Sequence, residues 1–216
     1  MDLTDALDQI GAVRRALTTT EYRGATARVL TMEQQYPTTA EDLWDALTDP
    51  ERLSRWFTPV SGDLREGGRY QLTGNAEGTI ERCDPARALV VTWEFGGGIS
   101  WVEVDLVEAD GETTLVLRHL MHTDALDEHT QRYGPGAVGI GWDLSLLGLE
   151  RHLATGEAAD PAAVEEWSTG ESGRAFMTRS SDAWYEADVA DGTEAADARL
   201  RADRTLAFYT GQEEPA

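Results

Sequence analysis

The chain has 216 residues, of which 41% are hydrophobic and 27% are charged, and this composition excludes disorder over its whole length. All 18 basic residues are Arg, and against 40 acidic residues they leave a formal net charge of −22. A field this negative repels phosphate groups and anionic lipids, so neither nucleic acid nor a membrane is expected as a partner.

The expected cellular compartment follows from three features that the sequence does not show: a signal peptide, a membrane span and a pair of cysteines. The N-terminus has no apolar block before a cleavage site, so it is not expected to be a signal peptide. No window of about 18 apolar residues is present to span a bilayer. The lone Cys83 cannot form an internal disulfide, which fits a reducing compartment. We therefore expect a cytoplasmic protein.

Residues 2–17 have the pattern of an amphipathic helix. Acidic residues come early, and Arg14 and Arg15 come late, as the helix dipole favours. The apolar positions near helical spacing are Leu3, Leu7, Ile10 and Leu17. We predict an N-terminal helix outside the main core.

A strand and two short helices are predicted next. Residues 28–36 alternate between apolar and polar, and Pro37 ends this strand. Thr38 and Glu41 have the spacing of a capping box, which begins a first helix. The pair Asp49-Pro50, an N-cap acid before a proline, begins a second.

Between residues 60 and 121 the chain reads as an antiparallel meander. Short alternating segments are separated by turn sequences such as Gly96-Gly97-Gly98 and Asp110-Gly111. Alternation places one set of side chains on the concave face of the sheet: Tyr70, Leu72, Gly78, Ile80, Leu89, Val91, Trp93, Val102, Val104, Leu106, Leu115, Leu117, His119 and Met121.

Residues 137–154 form a long helix with two apolar lines. One line contains Trp142, Leu146, Leu149 and Leu153, and the other contains Ile140, Leu144 and Leu147. A sheet covers only one of these lines. The segment 156–216 is rich in large apolar residues and predicts a helical extension that covers the second.

Several motifs resemble those of a known family. Trp44, the run Thr48-Asp49-Pro50-Glu51 and Trp56 are similar to the W…TDPE…W signature of the activators of the heat-shock-protein-90 ATPase, a branch of the START-like, helix-grip superfamily. Further motifs follow in that family's order: Gly67-Gly68, Gly78-Thr79-Ile80, Thr92-Trp93-Glu94, Thr114 before Leu115 and Leu117, His119, and Gly141-Trp142 with Leu146.

The resemblance implies an α+β helix-grip fold. In this fold a curved antiparallel sheet of about six to seven strands wraps round a long C-terminal helix, with two short helices after the first strand. We divide the chain into an N-terminal helical segment 1–26, a helix-grip domain 27–155 and a helical extension 156–216. The eukaryotic co-chaperone's additional N-terminal domain has no counterpart in the helix 2–17, so chaperone activation is not carried over.

The fold also implies a cavity between sheet and long helix that accepts small hydrophobic ligands. The candidate lining residues are Trp56, Tyr70, Leu72, Ile80, Val91, Trp93, Val104, Leu117, His119, Met121, Trp142 and Leu146. The alternative is that these side chains fill the core. No metal or other cofactor is expected: His119 and His122 should face opposite sides of a strand, and His129 lies in a loop.

Three functions stay open. The first is non-catalytic binding of a small apolar or aromatic molecule, which predicts an internal void of several hundred cubic ångströms. The second is a cyclase or hydratase with His119 as acid or base, although no nucleophile or paired carboxylate shares its face. The third is a chaperone-regulator-like interaction module with a filled core, including a homodimer or a protein partner that binds the extension.

Overall fold

The structure is a computed structural model that describes residues 3–126 and 128–215. The helices are α1 Leu3–Ala12, α2 Ala40–Thr48, α3 Pro50–Trp56, α4 Glu128–Tyr133, α5 Gly136–Thr155, α6 Pro161–Thr169, α7 Glu171–Ala190 and α8 Ala195–Thr210. The strands are β1 Arg14–Tyr22, β2 Ala25–Tyr36, β3 Val60–Gly62, β4 Arg69–Leu72, β5 Glu77–Asp84, β6 Ala88–Phe95, β7 Gly98–Ala109 and β8 Glu112–His122.

The eight strands form one antiparallel sheet in the order β1-β2-β8-β7-β6-β5-β4-β3. The two short helices follow β2, and the long helix α5 packs on the concave face, which confirms the predicted helix-grip architecture. The predicted turn at the β6–β7 junction is present, and Gly96 and Gly97 supply the positive φ angles of 60° and 84° that it requires.

The strand count exceeds the predicted six to seven because β1 was taken for helix. The N-terminal helix ends at Ala12, not at residue 17, and Arg14–Tyr22 pairs with β2. Alternation is disguised in β1 because one inward position is occupied by Arg15, whose side chain is 6% exposed. Pattern reading assigns a guanidinium to the surface, and it therefore linked Ile10 to Leu17 as one helix face.

The start of α2 also differs by one residue from the prediction. Thr39, not Thr38, is the N-cap, because its side chain accepts a hydrogen bond from the Asp42 backbone N–H at 3.2 Å. Thr38 instead donates its hydroxyl to the Asp42 carboxylate. The start of α3 is as predicted, since the Asp49 side chain accepts from the Arg52 backbone N–H at 2.9 Å.

The second apolar line of α5 is covered from two sides. Leu147 is buried with Phe176 of α7, as the extension was predicted to do, and also with Ala6 and Ile10 of α1. Ile140 and Trp184 belong to the main core between the sheet and the helices. Both terminal segments therefore contribute to packing, and the residues of α1 belong to a cluster separate from the main core.

A buried ionic network joins β1, α5 and α7. Asp143 is 1% exposed, and its carboxylate accepts a hydrogen bond from Arg15 at 2.6 Å. It also accepts from the Ser180 hydroxyl at 2.5 Å and from the Trp184 indole N–H at 2.9 Å. Burial raises the pKa of Asp143, while these donors oppose that rise by stabilising the ionised form.

The close approach of α5 and α7 depends on a glycine. A Cβ atom at Gly139 would lie 2.2 Å from the Trp184 ring, which is buried and held by Asp143. We expect Gly139→Ala to destabilise the fold by about 1–3 kcal/mol, as overpacked cores do. Chemical denaturation measures this change.

Gly11→Ala is the matched control for that substitution. Gly11 is also helical, but a Cβ there would meet nothing within 4 Å. Because Ala favours helix over Gly by up to about 1 kcal/mol, the control should be neutral or stabilising. Equal effects at the two sites would contradict the packing argument.

None of the helices within the two described ranges combines the length and apolar character that crossing a bilayer requires.

Candidate functional site

The concave face of the sheet, α5 and the short helices α2 and α3 enclose a cavity of about 180 Å³. This volume is smaller than the several hundred cubic ångströms expected from the sequence. The lining residues are mostly apolar or aromatic: Trp44, Leu47, Thr48, Leu53, Trp56, Phe57, Val60, Leu64, Tyr70, Leu72, Ile80, Cys83, Leu89, Val91, Trp93, Val102, Val104, Leu115, Leu117, Trp142, Ser145, Leu146 and Leu149. Leu64 is 39% exposed, so the cavity reaches the surface beside the β3–β4 loop.

Helices α2 and α3 form one wall as a joined pair. The Trp56 indole N–H donates to the Ala46 carbonyl at 2.9 Å, which fixes the end of α3 against α2. A Cβ atom at Gly148 would lie 2.7 Å from the Trp56 carbonyl oxygen, so glycine allows α5 to approach this wall closely. The ring of Trp56 is thereby held at the cavity surface.

The polar lining groups are directed at the backbone. The Tyr70 hydroxyl donates to the Thr92 carbonyl at 2.8 Å, Ser145 to Gly141 at 2.8 Å, and Thr48 to Trp44 at 2.8 Å. None of the lining residues in the described part of the chain is acidic or basic. The wall therefore offers apolar and aromatic surface without charge.

The cavity thiol is also uncharged at neutral pH. Burial, and then the Glu66 and Asp84 carboxylates, raise the pKa of Cys83. A thiolate is the reactive form of cysteine, so this environment opposes nucleophilic chemistry.

Two tryptophans meet at the cavity wall and are held by a histidine. The rings of Trp93 and Trp142 have centroids 5.3 Å apart. The Trp142 indole N–H donates to His119 Nδ1 at 3.0 Å, and His119 Nε2 lies 2.8 Å from the Ser100 hydroxyl. Because an indole only donates, Nδ1 must be unprotonated and Nε2 carries the hydrogen.

Ser100 completes this chain by donating to the Trp93 carbonyl at 3.2 Å. His119 is 4% exposed, and burial lowers its pKa from 6.5 to about 4. The imidazole is therefore neutral at physiological pH, and both of its nitrogens are occupied by protein partners. Its evident task is to orient Trp142 and, through Ser100, the strand that carries Trp93.

Comparison with known proteins agrees with this architecture. The family model of Activator of Hsp90 ATPase homolog 1-like proteins matches residues 37–154, which is more than half of the chain. The chain belongs to this family. A comparison with curated proteins gives no match.

CalU16 from Micromonospora echinospora is similar over most of both chains. Its crystal structure shares 33% identity, covers 82% of this chain and 98% of its own, and superposes with a TM-score of 0.63. Its solution structure gives 32% identity, 84% and 97% coverage, and a TM-score of 0.66. DynU16, a protein of the dynemicin biosynthetic locus, shares the fold at 21% identity, with 60% and 48% coverage and a TM-score of 0.52.

Ten of the twelve side chains predicted to line the cavity do surround it: Trp56, Tyr70, Leu72, Ile80, Val91, Trp93, Val104, Leu117, Trp142 and Leu146. The two others lie elsewhere. His119 does not line the cavity and is hydrogen-bonded to Trp142, which does. Met121 lies at the end of β8 beside a separate cavity near Leu17 and Val138.

The residues missed by sequence reasoning come mainly from α2, α3 and the segment after them. Leu47, Leu53, Phe57 and Leu64 line the cavity together with Trp44. A signal was present, because the apolar positions of both short helices flank the family's TDPE motif. Sequence alone did not indicate that these helices form a wall of the cavity instead of an outer layer.

Of the clustered histidines, His119 and His122 lie on opposite faces of β8 and do not converge on a common site. His119 faces the concave side, whereas His122 contacts the Tyr22 carbonyl and the Trp101 ring on the opposite side. The side chain of His129 lies outside the described residues. Elsewhere in the described ranges, no three His, Cys, Asp or Glu side chains are grouped as metal ligands.

Proposed function

We propose that the protein binds one small, neutral, largely apolar or aromatic molecule in the cavity between sheet and α5, without catalysing a reaction on it. The observation that carries this proposal is the uncharged wall in which four tryptophans are present and every hydroxyl is bonded to backbone. Such a wall stabilises an apolar or aromatic ligand by burial and ring stacking. It has no charged group to compensate a charged ligand for its lost hydration.

The cavity volume limits the ligand. An apolar cavity of about 150 Å³ accepts benzene in another protein, so about 180 Å³ suits a ligand of one or two rings. A larger ligand has to displace the residues near the mouth, where Leu64 is exposed and Phe57 is partly exposed. The family match supports ligand-binding or regulator-type use of the fold in general and names no ligand.

A cyclase or hydratase mechanism receives no support from the geometry of His119. Both ring nitrogens are engaged, and the ring does not line the cavity. The family description also fits a regulator of a chaperone. A contiguous exposed aromatic patch on the extension would favour that function. Phe208 is 57% exposed there, whereas Phe176 and Trp184 are buried at 0% and 1% exposure.

Native mass spectrometry of protein from its own cells tests the proposal. We expect a bound small molecule that is absent from the denatured mass. Its affinity should fall about tenfold or more in Trp93→Ala, which removes one face of the aromatic wall. Phe95→Ala is the matched control, because Phe95 lies two residues further along β6, is 63% exposed and does not line the cavity.

A second variant separates loss of the site from loss of the fold. Val104→Phe places a larger side chain in the cavity, so it should exclude the ligand while the folded state persists. Loss of the ligand in both Trp93→Ala and Val104→Phe, with retention in Phe95→Ala, is the expected result. A mass without ligand, together with no thermal shift across an apolar panel, would refute the binding function.

A further inference from the structure

A second and chemically different cleft lies on the far side of α5, between α1 and β2. Its volume is about 570 Å³, which is within the usual range for small-molecule sites. The lining residues are Asp8, Gln9, Ala12, Gln34, Gln35, Leu147, Glu150, Arg151, Ala154 and Thr155. In contrast to the apolar cavity, this wall is built from amides and carboxylates.

Two buried glutamines give the cleft a fixed polar floor. Gln9 and Gln34 are only 5% and 3% exposed, and each donates its amide to the other's oxygen at 2.8 and 2.9 Å. The reciprocal pair fixes the orientation of both amides. Gln34 Nε2 also donates a long hydrogen bond to Glu150 Oε2, which lies 3.4 Å away.

Glu150 is a partly buried acid of this cleft that has no ion-pair partner among the described residues. Apart from the long contact with Gln34, its carboxylate has no hydrogen-bond or ion-pair partner in the described part of the chain, although the residue is partly buried. Burial alone raises the pKa of Glu150, and burial, followed by the Glu150 carboxylate, raises the pKa of Tyr36. Among the described residues, the buried Tyr36 hydroxyl has no hydrogen-bond partner.

The charges of the cleft favour a cation. Asp8 and Glu150 are acidic and Arg151 is basic, so the lining is net negative within a chain of net charge −22. Such a field raises the local concentration of cations. A partly buried carboxylate without a partner gains most from a ligand that brings both positive charge and N–H donors.

We propose that this cleft is a second binding site, in which the Glu150 carboxylate receives the ammonium group of a small amine that lies against the glutamine pair. The site is independent of the apolar cavity, because it lies on another face of α5 and shares no lining residue with it.

The proposal is tested by titrating isotope-labelled full-length protein with diaminobutane at neutral pH and following the side-chain amide signals of Gln9 and Gln34 by NMR. We expect saturable shifts of these signals. Butanediol, which has the same length without the charge, should produce none. Glu150→Gln should weaken the amine by about tenfold or more, since it removes a charge-assisted hydrogen bond.

The control is Glu157→Gln, because Glu157 is exposed and does not line this cleft. It should leave the affinity unchanged, as should Trp93→Ala in the apolar cavity. Equal weakening by Glu157→Gln, or shifts that never saturate, would mean attraction to the acidic surface only and would overturn the proposal. So would equal binding of the diol. Asp8→Asn provides a second variant on the opposite wall, with a smaller expected loss.

Discussion

Asp143→Ala is expected to lower the free energy of unfolding by about 3–5 kcal/mol, because it leaves a buried guanidinium without its counter-ion. The Arg15 side chain is 6% exposed, so water in the folded state cannot replace the lost carboxylate. The Ser180 hydroxyl and the Trp184 indole lose their acceptor in the same step. Urea denaturation followed by tryptophan fluorescence measures the change.

An exposed ion pair between α7 and α8 is the control. Asp182 and Arg199 are 2.8 Å apart, but both side chains are 41% exposed. Solvent-exposed pairs contribute roughly 0–1 kcal/mol, so Asp182→Ala should have a small effect. If Asp143→Ala loses no more than Asp182→Ala, the buried network does not hold the extension to the domain.

Much of the fold could be predicted from local sequence patterns, namely the two-residue alternation of strands and the apolar lines of helices. Strands β4 to β8 are separated by glycine-containing or Asp-Pro turns, and alternation assigned most of their faces correctly. A bulge between Ile80 and Arg82 interrupts the alternation in β5. Helix α5 was found from its apolar lines. Strand β1 was missed because Arg15 occupies an inward position that only a distant partner, Asp143, can stabilise. That pairing spans 128 residues and leaves no local signal.

The candidate site was predictable to a similar extent. Alternation identifies side chains that face the concave side, such as Val91 and Leu117, and these line the cavity. It does not identify which inward residues contact the cavity and which support its wall. His119 is inward but bonded to Trp142, and this distinction depends on where α5 crosses the sheet. The glutamine pair of the second cleft joins α1 to β2 and has no signature in either segment.

The neutral His119 should make the folded state sensitive to acid. Its pKa is about 4 in the folded protein, against an ordinary value of 6.5. Between pH 6.5 and pH 4 the unfolded chain binds a proton at His119 that the folded protein does not bind. The free energy of unfolding is therefore unaffected by His119 above pH 6.5 and falls as the pH drops toward 4. The difference corresponds to about 3 kcal/mol at full extent.

His119→Gln isolates this contribution, because glutamine can accept from Trp142 and donate to Ser100 but does not titrate. The free energy of unfolding of both proteins is measured between neutral pH and pH 4, and the wild-type protein should lose about 3 kcal/mol more than the variant. Glu150 works in the opposite direction, since burial raises its pKa and protonation favours the folded state. It cancels in the comparison because both proteins carry it. Parallel pH profiles would mean that His119 has the same pKa in the folded and unfolded protein. The folded imidazole would then take up a proton on acidification, and the proposed hydrogen bond from Trp142 to Nδ1 would be wrong.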